Sequence, residues 1–343
     1  MTARVVTFGE IMLRLSPPGF ERLLQSPHLS ATFGGAEANV AVSLAHFGLE
    51  SIYVTCLPAH AIGDAAVKAL RAEGVWVDWI ARGGDRVGIY YAETGASQRP
   101  SIVIYDRAHS ATSEMDPHAV NWKGALSGAA WFHVTGITPA LGAAAADATR
   151  CAIAAARAAG ARVSVDLNYR RKLWSKARAR DVMTPMLRDV DLVIANEEDL
   201  QSVLGIEVPG TDVTSGVLDL EGFRHAAERV TRDFGPQMVA ITLRESRSAT
   251  DNGWSAVLWD AAAATLHRSQ AYDVRVVDRV GGGDSFAAGL IYGLVSGRSP
   301  DAALRFAVAA SALKHTIPGD FNRVTVEEVD RLAAGDASGR VQR

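Results

Sequence analysis

The chain has 343 residues, of which 48% are hydrophobic and 21% are charged, so it can bury a packed core and is not a disordered chain. Its formal net charge is −3, and no run of five like charges occurs, which excludes the basic surface typical of nucleic-acid-binding proteins. A chain of this length predicts one large domain with a smaller lobe, or two domains.

The cysteine content and the N-terminal segment indicate in which cellular compartment the protein is expected. Cys56 and Cys151 are too far apart to form a CxxC pair, so neither a zinc site nor a disulfide framework is expected. The segment Met1–Leu15 has one short apolar run, interrupted by Glu10 and Arg14, which is typical of a first strand rather than of a secretion signal. Because no stretch of about 18 apolar residues occurs, the sequence predicts a cytoplasmic protein without membrane insertion.

Short β-branched runs alternate with longer alanine-rich stretches along the chain. The runs predict strands at Val5–Phe8, Ile52–Thr55, Ala130–Thr135, Arg162–Asp166, Leu192–Ala195 and Met238–Thr242. The stretches predict helices at Ala36–His46, Ala61–Glu73, Leu141–Ala159 and Phe223–Phe234. This alternation predicts an α/β fold with a mostly parallel central sheet and helices on both faces.

Two strand-like segments break the alternation. Gly88–Glu93 and Ser101–Tyr105 flank Thr94–Pro100, which is rich in turn formers. A hairpin does not easily join a parallel sheet, so we interpret it as part of a small β lobe formed roughly by residues 10–35 and 86–110. Such a lobe at the edge of a crevice is a candidate lid, although the pattern alone slightly favours an ordinary surface hairpin. Residues 1–343 are then one domain that carries this lobe.

A glycine-rich segment near the C-terminus is the strongest chemical motif. Residues 278–286 read Asp-Arg-Val-Gly-Gly-Gly-Asp-Ser-Phe, after a strand-like Tyr272–Val277 and before a helical Ala287–Val295. Glycines let backbone N–H groups approach a ligand, and a helix start adds donors and partial positive charge, which together favour an anion site. Asp284 could take a proton from a bound hydroxyl, although a glycine turn with Asp284 as an ordinary N-cap also explains the segment. It matches neither a Rossmann fingerprint, because Phe286 replaces the third glycine, nor a Walker A loop.

A second motif lies near the N-terminus. Residues 33–40 read Phe-Gly-Gly-Ala-Glu-Ala-Asn-Val, a double glycine that opens a helix. This segment offers backbone donors and the amide of Asn39 to a polar small molecule. An asparagine near a helix start is also common as a local hydrogen-bonding residue.

Together, Gly-Gly-x-x-x-Asn at 34–39 and Asp-x-x-Gly-x-Gly-Asp-Ser-Phe at 278–286 resemble the two signatures of the ribokinase-like (PfkB) carbohydrate kinases. The resemblance runs from about Val5 to Val329 and implies a ribokinase-like fold, ATP as the phosphoryl donor and Mg²⁺ entering with it. It also implies that Asp284 is the catalytic base for a sugar hydroxyl. Gly281, Gly282 and Gly283 would stabilise charge on the transferring phosphate.

The resemblance further implies a nucleotide site at 168–170, 243–248 and 281–284. The residues expected to contact the nucleotide are Asn168, Arg170, Leu243, Arg244, Ser246, Ser248, Gly281 and Gly283. Asn196 and Asp199 take the place of an Asn-x-x-Glu motif that arranges magnesium through water, although an ordinary helix start explains them equally well. Arg279 stands where threonine is usual, and Gly282 stands where alanine is usual.

Segments 104–107, 136–141, 166–170, 242–246 and 317–322 carry a narrower resemblance, to kinases of 2-keto-3-deoxygluconate. It implies ATP-dependent phosphorylation of the terminal hydroxyl of that sugar acid. Arg107 and Arg170 each follow a predicted strand and would face one crevice, where an arginine fork binds a carboxylate bidentately. Taken singly, each is more typical of a solvated surface charge.

Four further residues are expected beside the sugar. The family pattern places Gly35 and Asp320 there, next to Asn39. Tyr90 and Tyr105, on the two strands of the predicted lid, would cover the sugar and donate their hydroxyls. Packing within the lobe explains the two tyrosines equally well.

Other functions stay open from sequence. One is a kinase of the same family for a neutral sugar, such as fructose or ribose, or for a nucleoside. Another is a non-catalytic sugar-acid sensor, which is disfavoured because both the glycine loop and Asp284 are present. Neither a nucleic-acid nor a membrane partner is expected. An open face of the lid sheet would suit pairing across a two-fold axis, which predicts a homo-oligomer, a dimer or larger.

Overall fold

The computed structural model describes residues 2–208, 219–336 and 339. Its strands are β1 (Arg4–Phe8), β2 (Met12–Ser16), β3 (Ser30–Gly34), β4 (Glu50–Val54), β5 (Cys56–Leu57), β6 (Ala81–Arg82), β7 (Ile89–Glu93), β8 (Ile102–Asp106), β9 (Trp131–Thr135), β10 (Arg162–Asp166), β11 (Leu192–Ala195), β12 (Met238–Ser246), β13 (Asp251–Asp260), β14 (Thr265–Arg268) and β15 (Tyr272–Arg275). Its α-helices are α1 (Ala36–His46), α2 (Ala61–Ala72), α3 (Trp122–Ala125), α4 (Ile137–Ala140), α5 (Ala143–Ala158), α6 (Lys176–Met186), α7 (Glu197–Asp199), α8 (Leu220–Phe234), α9 (Gly282–Val295), α10 (Pro300–Lys314) and α11 (Val326–Ala333). A 3₁₀ turn at Leu187–Asp189 and a π-helical turn at Leu200–Leu204 complete the helical segments of the described chain. None of these helices is long and apolar enough to cross a bilayer.

Nine strands of the described chain form the central sheet, in the order β14-β13-β12-β11-β10-β9-β1-β4 with β15 paired to β13. The strands from β12 to β4 in that order pair in parallel, whereas β13 pairs antiparallel with β12, β14 and β15. Every residue of β9 and β11 is buried, as expected when helices cover both faces of parallel strands. The predicted mostly parallel α/β sheet is therefore confirmed.

Two hydrophobic cores lie on opposite faces of this sheet. Within β1, Val6 and Phe8 belong to one core and Val5 belongs to the other, because successive side chains of a strand point to opposite faces. The first core also contains residues of α5, α6 and α8, and the second contains residues of α1, α9 and α10. The carboxyl ends of the parallel strands are thereby fixed at one edge of the molecule.

Small residues bring α9 and α10 close together. A Cβ atom at Gly293 would lie 2.7 Å from the Cα of Ala303, and one at Gly289 would lie 2.8 Å from the Cα of Ala307. Because only glycine permits this approach, the packing against α10 fixes where the N-terminal end of α9 projects. That end carries the glycine loop.

A separate four-stranded sheet has the order β3-β2-β7-β8. β7 and β8 form the expected antiparallel hairpin, and β7 also pairs in parallel with β2. The first apolar run, predicted as one strand, is two strands: β1 enters the central sheet, and β2 enters this smaller one. Met12, Tyr90 and Ala92 form its small buried core. The assignment of residues 1–343 to one domain stays a prediction, and its segments 209–218, 337–338 and 340–343 lie outside the described residues.

Candidate active site

A cavity of about 540 Å³ lies between the small sheet and the carboxyl ends of the parallel strands. Open α/β sheets bind their ligands at this edge. Met12 and Tyr90 line it from the small sheet, and Asp166 and Asp284 line it from the central domain. The small sheet is thus positioned as a lid, and most of the predicted site residues meet here.

The glycine loop forms one wall of the cavity, at the start of α9. Gly281 has a φ of 85°, in the left-handed region that favours glycine, and a Cβ there would lie 2.2 Å from the carbonyl oxygen of Asp320. A Cβ at Gly282 would lie 2.5 Å from the ring of His315, whereas Gly283 faces open space. Because N–H groups in the first turn of a helix lack helical acceptors and lie at the positive end of its dipole, this loop can bind an anion.

Asp284 lies in the first turn of α9 and is half-buried in the cavity wall. The side-chain amide of Asn39 donates to Asp284 Oδ2 at 2.7 Å, and Asn39 Oδ1 accepts from the N–H of Gly35 at 3.3 Å. Burial raises the pKa of Asp284 to about 7; the hydrogen bond from Asn39 opposes this rise, and the neighbouring carboxylates of Asp320 and Glu37 add to it. A carboxyl group with this pKa is suited to accept a proton near neutral pH.

Glu37 fixes the start of α1, on which Asn39 lies. Its Oε1 accepts hydrogen bonds from the N–H and the hydroxyl of Thr135 at 2.9 and 2.8 Å, and from the hydroxyl of Thr138 at 2.6 Å. Burial raises the pKa of Glu37, and the hydrogen bonds from Thr138 and Thr135 oppose that rise. The contacts tie α1 to the end of β9, so they hold Asn39 in reach of Asp284.

An arginine on the lid bridges two aspartates of the central domain. Arg14 donates to Asp320 Oδ1 at 2.7 Å and to Asp278 Oδ2 at 2.6 Å, and Tyr90 donates to Asp320 Oδ2 at 2.6 Å. Burial alone would lower the pKa of Arg14, but the carboxylates of Asp320 and Asp278 raise it above its ordinary value. A Cβ at Gly34 would lie 2.1 Å from Asp320 Oδ2. This network joins the lid, the glycine loop and the predicted sugar residue Asp320.

Arg107 lines the cavity, but its fork is already occupied. Its Nε donates to Glu10 Oε2 at 2.8 Å, and its Nη2 donates to the same oxygen. Glu10 Oε1 is buried and has no partner among the described residues. The guanidinium carbon lies 5.4 Å from the ring centroid of Tyr105, whose ring in turn lies 6.0 Å from that of Tyr90. The Arg107 guanidinium group is thus paired with Glu10, a partner that the sequence did not indicate, and its contact with a sugar carboxylate stays a prediction.

Arg170 is exposed, follows β10 and lines the same cavity as Arg107. Its Nη1 donates to the carbonyl oxygen of Tyr169 at 3.0 Å. It forms no ion pair with a carboxylate among the described residues, so its charge is available to an anionic ligand.

Some of the predicted nucleotide residues reach the cavity, and others do not. Asn168, Arg244 and Ser246 line it. Leu243 is buried in the hydrophobic core, because side chains alternate along β12 and those of Thr242 and Arg244 take the cavity side. Ser248 lies in the turn before β13, where its hydroxyl accepts from backbone N–H groups. The structure therefore does not bring Leu243 and Ser248 to the cavity.

The predicted metal residues form a capping box. Asn196 Oδ1 accepts from the N–H of Asp199 at 2.8 Å, and the Asp199 carboxylate accepts from the N–H groups of Tyr169 and Asn196 at 2.9 and 3.3 Å. No cluster of three or more acidic, histidine or cysteine side chains in the described chain has metal-binding geometry. Burial and the carboxylates of Asp199 and Asp284 raise the pKa of Asp166 well above its ordinary value. These mutually repelling carboxylates fit a hydrated Mg²⁺ ion, held through water.

Sequence reasoning missed several residues that line the cavity. They are Glu10, Arg14, Glu37, Asp166 and Arg279. Asp166 had a usable signal, because it ends a predicted strand. Arg14 had none, since its partners lie 264 and 306 residues away along the chain.

The cavity thus combines a covering β-sheet, a glycine loop that can bind an anion and an aspartate whose pKa is raised to about 7, features that suit phosphoryl transfer. Residues 2–324 match the family described as "pfkB family carbohydrate kinase". The chain therefore belongs to the PfkB family of carbohydrate kinases, and the predicted ribokinase-like fold and kinase class are confirmed.

Individual relatives agree with this assignment. The chain is 35% identical, over 99% of each chain, to a 2-dehydro-3-deoxygalactonokinase of Haloferax volcanii. It is 51% identical to a 2-dehydro-3-deoxygluconokinase of Thermotoga maritima whose crystal structure matches 97% of this chain and 100% of that one with a TM-score of 0.93. A fructokinase of Xylella fastidiosa with bound ATP shares the fold, at 22% identity and a TM-score of 0.76 over 97% of this chain and 99% of that one.

Proposed function

We propose that this protein transfers the γ-phosphoryl group of ATP to the terminal hydroxyl of a 2-keto-3-deoxy sugar acid, 2-keto-3-deoxygluconate. The observation that carries the proposal is the pairing of Asp284, whose pKa is about 7, with the glycine loop at the start of α9. The names of two relatives, both kinases of 2-dehydro-3-deoxy sugar acids, support the substrate class.

In the proposed reaction, Asp284 takes the proton of the sugar hydroxyl while the hydroxyl oxygen bonds to the γ-phosphorus. The bond from that phosphorus to the bridging oxygen breaks, and ADP leaves with the bond's electron pair. N–H groups of Gly281, Gly282 and Gly283 stabilise the charge on the transferring group. Asn39 holds the Asp284 carboxylate at 2.7 Å. Asn196 and Asp199 would hold the waters of a Mg²⁺ ion bound with ATP, and that ion would neutralise phosphate charge.

The sugar is expected at the lid end of the cavity. The unpartnered Glu10 Oε1 is an acceptor for a sugar hydroxyl, because a buried carboxylate oxygen without a donor is unfavourable. Arg170 supplies the free positive charge for the sugar carboxylate, and Tyr105 covers the sugar from the lid. With its fork on Glu10, Arg107 acts mainly by holding that carboxylate in place. Asp320, held by Tyr90 and Arg14, lines the same cavity.

The test of this function is ADP release with Mg-ATP against a panel of acceptors. The panel contains 2-keto-3-deoxygluconate, its galactonate-derived epimer, gluconate, fructose, ribose and adenosine. Selective turnover of the keto-deoxy acids supports the proposal, and the faster epimer identifies the substrate. Turnover confined to a neutral sugar or to adenosine would contradict the proposed substrate but support a kinase activity. No turnover with any acceptor would favour a non-catalytic sensor.

Replacing Arg170 by Ala is expected to raise the KM for the sugar acid about 10- to 100-fold, since a charge-assisted contact to a carboxylate is lost. The matched control is Arg171→Ala, which removes an exposed arginine outside the cavity. We expect the control to keep the wild-type KM. An unchanged KM in Arg170→Ala would show that the sugar carboxylate is bound elsewhere.

We also propose that two copies of the chain pair through the outer face of the lid sheet. Side-chain alternation places one apolar set on this face: Leu13, Leu15, Ala31, Phe33, Ile89, Tyr91, Ile102 and Ile104. Ile102 and Ile104 are 37% and 49% exposed. Contiguous exposed apolar surface of this kind is typical of an interface.

Ile104→Asp is expected to convert the dimer to a monomer, because a charge replaces apolar contact within that interface. Sedimentation velocity at matched concentrations measures the change. Ile62→Asp, which alters an isoleucine of α2 with 46% exposure outside the lid, is the control and should stay dimeric. A wild-type protein that sediments as a monomer would contradict the lid interface.

A cytoplasmic location follows from the proposed use of ATP and is supported by two free cysteines, Cys56 and Cys151. Fractionation of cells that express the native chain tests it. Recovery of the protein outside the cytoplasmic fraction would contradict this location.

A further inference from the structure

The part of the cavity beside the glycine loop contains an arginine with an unsatisfied hydrogen-bond donor. Arg279 lies between Asp278 and the glycine loop, and its Nη2 donates to the carbonyl oxygen of Ala249 at 3.0 Å. Its Nε–H is buried and has no acceptor among the described residues. A buried N–H group without an acceptor costs free energy, so this donor is expected to meet an acceptor on a ligand.

A second arginine in the same part of the cavity has a guanidinium group without a hydrogen-bond partner among the described residues. Arg244, on β12, lines the cavity and forms no hydrogen bond or ion pair within the described part of the chain. Burial and the nearby charge of Arg244 lower the pKa of Arg279, and Asp278 only partly opposes this. The Asp278 carboxylate is already bound by Arg14 and by the N–H groups of Val280 and Gly319.

Two guanidinium groups therefore share one region next to the glycine loop. Glu197 is a charge near Arg244 and Asp278 is one near Arg279, but neither arginine forms a direct ion pair within the described chain. Like charges repel each other unless an anion lies between or beside them. Guanidinium forks match the paired oxygens of phosphate groups. A ligand with at least two adjacent phosphates fits this arrangement better than one with a single phosphate.

We propose that Arg279 and Arg244 clamp the β- and γ-phosphates of the nucleotide, with Arg279 stabilising the β-phosphate as leaving group. The inference rests on the proposed ATP-dependent function. When the bond from the γ-phosphorus to the bridging oxygen breaks, that oxygen keeps the electron pair and becomes part of the β-phosphate of ADP. A guanidinium group beside it stabilises the charge that develops there.

The test compares the affinities of Mg-ADP and AMP by titration calorimetry in the wild type, Arg279→Gln and Arg279→Lys. We expect Arg279→Gln to weaken Mg-ADP binding about 10- to 100-fold. The affinity for AMP should stay within about twofold of the wild-type value, because AMP has no β-phosphate. Arg279→Lys keeps the charge without the guanidinium fork, so its affinity for Mg-ADP should lie between those of the wild type and Arg279→Gln. The matched control is Arg275→Gln on β15, whose side chain is 84% exposed and pairs with Asp251.

Unchanged Mg-ADP affinity in Arg279→Gln, or an equal loss for ADP and AMP, would overturn the clamp. Because binding is measured without turnover, this result is independent of the sugar that is phosphorylated. A wild type that binds Mg-ADP more tightly than AMP but turns over no acceptor of the panel would refute the proposed reaction and leave the clamp standing. A wild type that binds neither nucleotide would refute both.

Discussion

Asp284→Asn is expected to lower kcat about 10²- to 10⁴-fold, the usual contribution of a general base, while both substrates still bind. The amide that replaces the carboxylate keeps the shape of the side chain and a contact to Asn39 but cannot accept the sugar proton. Steady-state ADP release measures kcat, and calorimetry measures the affinities for Mg-ADP and the sugar acid.

The pH profile of the wild type gives a second readout of the same residue. Because burial raises the pKa of Asp284 to about 7, the base is protonated and inactive below that pH and becomes active above it. We therefore expect kcat/KM to rise with pH through about 7 and then to level off. The residual activity of Asp284→Asn should lack this rise.

Stability separates a catalytic loss from misfolding. The folded protein disfavours the ionised Asp284 carboxylate, since its pKa is raised relative to an exposed aspartate. At pH 8, removal of this charge should leave the melting temperature equal or higher. Asp301→Asn, at an exposed aspartate in the first turn of α10 that pairs with Arg305, is the control and should keep full activity. Wild-type kcat in Asp284→Asn would refute the assignment of the base.

Arg14→Met is expected to destabilise the fold by about 3–5 kcal/mol, the usual cost of removing one partner of a buried ion pair. Arg14 lies between the buried carboxylates of Asp278 and Asp320. Without the guanidinium group, these two carboxylates lose their counter-ion and repel each other. Urea unfolding at pH 7 measures the free energy of unfolding, and the KM for the sugar acid should rise as well, because Arg14 holds Asp320 in the proposed sugar site.

Arg82→Met is the matched control, because Arg82 pairs with Asp64 near the surface, where the two side chains are 34% and 58% exposed. An exposed pair of this kind contributes about 0–1 kcal/mol. Arg14→Lys keeps the charge but cannot reach both carboxylates with one fork. Its free energy of unfolding should therefore lie between those of Arg14→Met and the wild type. Equal losses in Arg14→Met and Arg82→Met would contradict the bridging role of Arg14.

Much of the central domain could be predicted from local sequence. Arg162–Asp166, Leu192–Ala195 and Ala36–His46 have the predicted bounds, because β-branched runs and alanine-rich periodicity are local signals. α10 was missed, since ten of its 15 residues are buried and so leave only a narrow polar face. The split between β1 and β2 was also missed, because the apolar run continues while the chain leaves one sheet for another.

The fold class, the glycine loop and the candidate base could be inferred from sequence, since each depends on residues that are neighbours along the chain. Tertiary structure alone decided which charges are free to bind a ligand. Arg107 is paired with Glu10, Arg14 joins Asp278 to Asp320, and Arg279 keeps an unsatisfied donor. These contacts join residues about a hundred or more positions apart or depend on burial, and an ion pair forms only where the fold brings its two groups within reach.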